Sequence, residues 1–171
     1  MPDAKQATEQ QTINVKLKVK RYDPADSGGK TWWQEYEVDV HPDSTVLDSL
    51  IEVREQNDGT LAMRCACRAS ICGSCGMKVN GSAKLVCKTR VIDVAPNGEQ
   101  LIIEPMGNQH VVKDLVVSLD TFFSQIKRVE PFLQPDHVPA QGEYIASNSS
   151  MENLLTSMNC IMCGCCVSDC T

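Results

Sequence analysis

Ten cysteines dominate the chemistry that this chain can offer, and they fall in two groups. The first holds Cys65, Cys67, Cys72, Cys75 and Cys87; the second holds Cys160, Cys163, Cys165, Cys166 and Cys170. Within the first, Cys67, Cys72, Cys75 and Cys87 follow a C-x4-C-x2-C…C spacing, the plant-type 2Fe-2S pattern. Bridged irons need four converging thiolates; a tight loop supplies three of them and a returning strand the fourth. Gly73 leaves the turn between Cys72 and Cys75 free of a Cβ, so backbone N–H groups can approach the sulfurs and help set the reduction potential. A zinc site competes with this reading, since zinc is also held by four thiolates, although zinc modules usually pair them as two C-x2-C knuckles. Cys65 reads as a small, semi-buried side chain.

In the second group, Cys160, Cys163, Cys166 and Cys170 follow C-x2-C-x2-C-x3-C, the bacterial ferredoxin run, whose fourth cysteine serves a different cluster. Cys160, Cys163 and Cys166 would be three ligands of a 4Fe-4S cube, and Cys170 one ligand of a further cluster. Cys165 falls outside the register and reads as packing. The donor count does not close before Thr171. Either residues 160–170 bind nothing stable as they stand, or the chain is C-terminally truncated, which is the expectation taken here. His41, His110 and His137 are scattered and read as surface or structural residues; none lies inside a cysteine loop as a Rieske site requires. No dinucleotide, P-loop or nucleophile-elbow motif is present, and no catalytic residue is expected.

The elements that must position these thiols read as a β-grasp domain over residues 12–107. Residues 1–11 are polar and expected to be disordered. Thr12 to Arg21 alternates through Ile13, Val15, Leu17 and Val19, and a second strand runs from Thr31 to Val40 with Trp33, Tyr36, Val38 and Val40 as burial candidates. Lys18, Lys20 and Arg21 read as the wet face of the first strand. Asp43 or Ser44 is expected to cap a helix that buries Val46, Leu47, Leu50 and Ile51. Residues 60–76 are irregular. Met77 to Val79 and Lys84 to Cys87 form a hairpin through Asn80-Gly81, and Leu101 to Glu104 adds a strand. Val112 to Arg128 has helical spacing through Leu115, Val116, Leu119, Phe122, Phe123 and Ile126. Residues 108–149 form this helix and a proline-bearing connector. Residues 150–171 begin a helical ferredoxin-like domain, opening on a short helix from Met151 to Met158. The fold class is therefore α+β.

The chain has 171 residues and a net charge of −6 at pH 7, which argues against nucleic acid or an anionic membrane surface as the main partner. No apolar run reaches the ~20 residues of a membrane-spanning helix. The N-terminus lacks a secretory signal, and a reducing compartment favours metal binding over disulfides.

The sequence resembles the iron–sulfur subunit of succinate dehydrogenase and fumarate reductase. The resemblance lies in Cys67-Arg68, in Ile71 through Met77, in Asn80-Gly81 and in Leu85-Val86-Cys87. It continues through Ile103-Glu104-Pro105, Lys113 through Val117, and the spaced run from Cys160-Ile161 to Cys170. It implies a 2Fe-2S cluster on Cys67, Cys72, Cys75 and Cys87, and a 4Fe-4S cluster using Cys160, Cys163 and Cys166. Cys170 is implied as the first 3Fe-4S ligand, with the remaining ligands in a C-terminal domain of the full-length protein. It also implies a peripheral subunit relaying electrons from an FAD flavoprotein to quinone in a membrane anchor. The location would be the cytoplasmic side of a bacterial or archaeal inner membrane, or the mitochondrial matrix side. Ala69 and Ser70 stand where many members carry Glu and Gly, so the loop is expected to differ in backbone angle or charge. Cys65 replaces a frequent basic residue, and Thr171 the usual proline. The alternatives are a freestanding 2Fe-2S carrier, the iron–sulfur subunit of a related small-acid oxidoreductase, and a zinc-binding interaction module.

Overall fold

The computed structural model describes residues 12–26, 28–132, 134–135, 138–152 and 154–171; the expectations for residues 1–11 and for His137 lie outside them. Alternating apolar residues build β1 (Ile13–Tyr22) and β2 (Thr31–Val40), paired antiparallel with Ile13 opposite Val40 and Tyr22 opposite Thr31. Gly28 and Gly29 close the hairpin with positive φ angles of 57° and 83°. A five-stranded sheet runs in the order β2-β1-β5-β3-β4, completed by β3 (Gly76–Val79), β4 (Ser82–Leu85) and β5 (Leu101–Glu104). β5 lies parallel to β1 and antiparallel to β3. Helix α1 (Val46–Glu52) belongs to the same core, where Leu47 and Leu50 are buried with Leu17, Met77, Val79, Leu101 and Ile103. This is the α+β, β-grasp arrangement expected from the pattern.

Several local expectations are corrected. Thr45, not Asp43 or Ser44, caps α1: its hydroxyl accepts from the Asp48 N–H (3.2 Å) while the Asp48 carboxylate accepts from the Thr45 N–H (2.9 Å). A reciprocal capping box wins because it satisfies two terminal donors together. The chain then continues through a π-helical turn over Val53–Asn57, with Val53 fully buried. Trp33 is 43% exposed, since it differs in parity from Tyr36, Val38 and Val40, and it lies 5.6 Å from each of Lys18 and Lys20 in cation–π geometry. Arg21 shares the parity of Leu17 and Val19 and is buried, not on the wet face.

The helix expected from Val112 begins only at Asp120. Residues 110–118 form a separate hairpin instead, β6 (His110–Lys113) with β7 (Val116–Ser118), followed by α3 (Asp120–Arg128). The β-branched run Val111, Val112, Val116 and Val117 prefers the strand, and a left-handed Asp114 (φ 46°) turns the chain between the two arms. Leu115 and Val117 are buried, whereas α3 fully buries none of its residues. Three further helical turns are α2 (Val91–Val94), α4 (Asn148–Glu152) and α5 (Leu155–Met158), and α6 (Cys165–Ser168) follows. α4 and α5 stand where one short helix was expected.

Candidate iron–sulfur centre

The cluster loop has no regular secondary structure, so it is held from its ends. At its entrance, buried Asp114 accepts from Ala62 N–H (2.9 Å), Tyr22 N–H (3.1 Å) and Arg21 Nε (2.8 Å), while Leu115 N–H donates to Ala62 O (3.2 Å). Arg21 also donates to Asp58 (2.6 Å), Tyr36 Oη (2.6 Å) and Thr60 Oγ1 (3.0 Å). Burial alone would weaken the positive charge of Arg21, but its bonds to Asp114 and Asp58 outweigh that and raise its pKa. Burial likewise opposes ionisation of Asp58; Thr60, Tyr36 and Arg21 reverse the balance and hold it well below the usual carboxylate range. One buried ionic knot thus ties β1, the end of the π turn and the 114 turn to the residue where the loop begins.

Cys87 is fixed by a different device. β4 stops at Leu85 rather than running to Cys87, and Lys88 N–H folds back to Leu85 O (3.0 Å). The unsatisfied N–H groups that open α1 reach across: Val46 donates to Thr89 O (2.8 Å) and Leu47 to Val86 O (3.2 Å). Val86 N–H donates to Cys75 O (3.3 Å), joining Cys87's neighbour to the loop, and the Val86 side chain is fully buried.

Between these anchors the backbone curls around Cys67. Arg68 (φ 53°) and Ser70 (φ 59°) are both left-handed, which turns the Ala69, Ile71 and Cys72 N–H groups onto Cys67 Sγ at 3.3, 3.5 and 3.4 Å. Successive N–H groups in such a curl make an anion-binding concavity, a recurring feature of iron–sulfur sites. Ser70 thus takes a left-handed backbone of the kind glycine favours. Its hydroxyl lies 3.8 Å from Cys87 Sγ, and the Ser74 hydroxyl lies 3.1 Å from Cys72 Sγ.

Cys72 feels Ser74 most and then Cys67, and its pKa falls to about 6. Burial chiefly, with Cys87 beside it, pushes Cys75 up to about 11. Cys72 thus interacts with Cys67, and Cys75 with Cys87 and more weakly with Cys72. They do not close on one point: among the described residues, no three His, Cys, Asp or Glu side chains gather tightly enough for a single metal ion. Four thiols with N–H and hydroxyl donors around them fit the donor set of a 2Fe-2S group. Cys65 is half-buried and packs against the hydrophobic core. His41 and His110 are exposed, and His41 lies 3.8 Å from Asp43.

The second cysteine run lies directly on the loop. A Cβ added at Gly73 would sit 2.7 Å from Cys163 Cβ, so the missing side chain makes room for that run, a role sequence spacing did not suggest. At Gly76 a Cβ would meet Met106 Sδ at 2.9 Å and Cys165 Sγ at 3.4 Å. Cys165 is half-buried, with its thiol pushed up to about 12 by burial and neighbouring Cys163. A cavity of about 430 Å³ opens between the two groups, lined by Arg64, Cys72, Gly73, Phe123, Cys160 and Met162. Cys160, Cys166 and Cys170 are exposed.

A chain of the Mycobacterium smegmatis Sdh1 complex in the apo form superimposes with a TM-score of 0.81 at 27% identity, covering 94% of this chain and 64% of that one. The likeness agrees with the resemblance to succinate dehydrogenase iron–sulfur subunits, and this chain spans 64% of that relative's length. A hypothetical protein from Helicobacter pylori aligns at 16% identity and a TM-score of 0.46, over 71% of this chain and 22% of that one, too weak a likeness to inform the fold. Residues 16–124, most of the chain and the whole cluster loop, match the 2Fe-2S iron–sulfur cluster binding domain. That match decides between iron–sulfur and zinc, and the chain belongs to the 2Fe-2S iron–sulfur cluster binding domain family.

Proposed function

We propose that this chain is the iron–sulfur electron-transfer subunit of a succinate:quinone oxidoreductase or fumarate reductase, passing single electrons between an FAD flavoprotein and quinone in a membrane anchor. Cys67, Cys72, Cys75 and Cys87 hold the 2Fe-2S cluster, which supplies one-electron redox chemistry. Cys160, Cys163 and Cys166 are part of a 4Fe-4S ligand set and Cys170 part of a 3Fe-4S set, completed by residues outside this sequence. In this reading residues 12–107 form the 2Fe-2S domain, 108–149 the helix and connector, and 150–171 the start of a helical ferredoxin domain.

The observation that carries the proposal is the contact of Gly73 with Cys163, which sets the second thiolate set against the first. A freestanding carrier needs no such neighbour. The chain's own residues bind and orient: the N–H curl around Cys67 and the Ser74 hydroxyl offset thiolate charge, and the Arg21 knot holds the loop entrance. No helix among the described residues is long and apolar enough to cross a membrane. The location is the cytoplasmic face of a bacterial or archaeal inner membrane, or the matrix face in mitochondria.

The test is anaerobic purification with and without an FAD flavoprotein partner. About two irons and two sulfides per chain with plant-type spectra are expected for the first cluster. Succinate should reduce that cluster only when the flavoprotein is present. Stoichiometric zinc without charge-transfer absorbance, or reduction indifferent to the flavoprotein, would sink the proposal.

A further inference from the structure

The second cysteine run is fastened to the 2Fe-2S domain by contacts that involve no thiol of the eight proposed cluster ligands. The Asp169 carboxylate accepts from the Ala83 N–H at 3.1 and 2.9 Å, lies 3.4 Å from Ser82 Oγ, and sits 3.8 Å from Lys78 Nζ. Ser168 Oγ accepts from the Gly107 N–H (2.8 Å). The Asn108 amide donates to Val167 O (2.9 Å) and Cys170 O (2.7 Å), taking up carbonyls at the end of α6. Gly107 admits the Ser168 backbone, where a Cβ would meet the Ser168 carbonyl at 2.8 Å. The Asn108 backbone is left-handed (φ 56°), which aims its side chain from a turn that few residues adopt.

β4 is an edge strand of the sheet, so its Ala83 N–H would otherwise face water, and Asp169 satisfies it. A charged acceptor on a backbone N–H is among the stronger hydrogen bonds available at a surface. Three side chains thus grip the run beside Cys166 and Cys170, while the bare Gly73 lets it settle against the first loop. We infer that Asp169 and Asn108, with Ser168, form a latch that fixes the distance between the two thiolate sets, making them positioning residues for the relay. The functional meaning of the latch rests on the proposed relay; its existence does not.

The test uses the chain carrying its 2Fe-2S cluster, in parent, Asp169→Ala, Asp169→Asn and Asn108→Gly forms. Glycine keeps the left-handed backbone at 108 while deleting the grip, and asparagine at 169 keeps an acceptor for Ala83. Hydrogen exchange should accelerate about tenfold or more across residues 82–84 and 106–108 in Asp169→Ala and Asn108→Gly, with partial rescue in Asp169→Asn. Iron content and exchange in β1 should stay unchanged, which separates unlatching from unfolding. Exchange that does not respond in any variant overturns the latch. The second readout is spin relaxation of the reduced 2Fe-2S signal in the same variants made in protein that carries the complete ligand sets, with the clusters filled. Fast relaxation in the parent should slow in Asp169→Ala at equal iron content; relaxation that stays fast while exchange accelerates overturns the positioning role. If protein that carries the complete ligand sets binds only the first cluster, the relay reading fails, and exchange alone still decides the latch.

Discussion

At the residue scale, spacing separates the four proposed ligands from Cys65, although Cys65, Cys75 and Cys87 all touch the hydrophobic core. Cys87→Ser should lose or strongly perturb the cluster, measured as iron per chain and visible absorbance, whereas Cys65→Ser should leave both intact because Cys65 lies outside the C-x4-C-x2-C…C spacing. Equal effects from the two changes would overturn that assignment. Ser74 is the largest influence holding Cys72 at about 6, so most of that thiol is ionised at pH 7 in the cluster-free chain. Ser74→Ala should raise its pKa toward the ordinary range, and alkylation of Cys72 at pH 7 should slow several-fold, read by peptide mass mapping. An unchanged rate would mean that the hydroxyl does not act on the sulfur.

At the element scale, the buried Arg21 knot joins strand, turn and loop. Removing one partner of a buried pair leaves the other charge uncompensated, so Asp114→Ala should cost about 3–5 kcal/mol in urea unfolding. It should also loosen the loop entrance, because Ala62 loses its acceptor. Asp58 gives the knot a pH signature. Its folded-state pKa lies below the unfolded value of about 4, so its stabilisation is present above about pH 4 and is lost as pH falls toward the folded value. The stability gap between parent and Asp58→Asn should be widest near neutral pH and shrink in acid. A gap that stays constant from pH 7 to pH 2 would contradict the ionised, hydrogen-bonded state of Asp58.

At the scale of the molecule, the hydrophobic core is built from the sheet and α1 with Cys75 inside it, while the loop over residues 64–75 rests mainly on its anchors. A ligand that binds only the folded state stabilises it by mass action. Removing the cluster should therefore lower Tm and open the loop to protease, with the β1–β2 hairpin still protected from exchange. Collapse of the whole sheet on cluster removal would show that the fold itself depends on the cluster. The spatial layout extends this economy: loop, cavity and second cysteine run occupy adjacent space, so one seat serves both thiolate groups.

The sequence by itself determined the thiol types and spacing, the alternating strands, the Asn80-Gly81 turn and the amphipathic α1, because these depend on local covalent reach and short periods. Strand parity also held the burial of Arg21 and the exposure of Trp33, although charge and aromaticity suggested the reverse. Only the tertiary structure decided that Val112 to Ser118 pairs as a hairpin rather than coiling, since a strand needs its partner and β-branched valines settle the contest. It alone brought Asp58 and Asp114 to Arg21 and Asp169 to Ala83, across 37, 93 and 86 residues of chain. It also gave Gly73 its second role. A glycine's empty space has meaning only once the atom that fills it, Cys163 Cβ, has been placed.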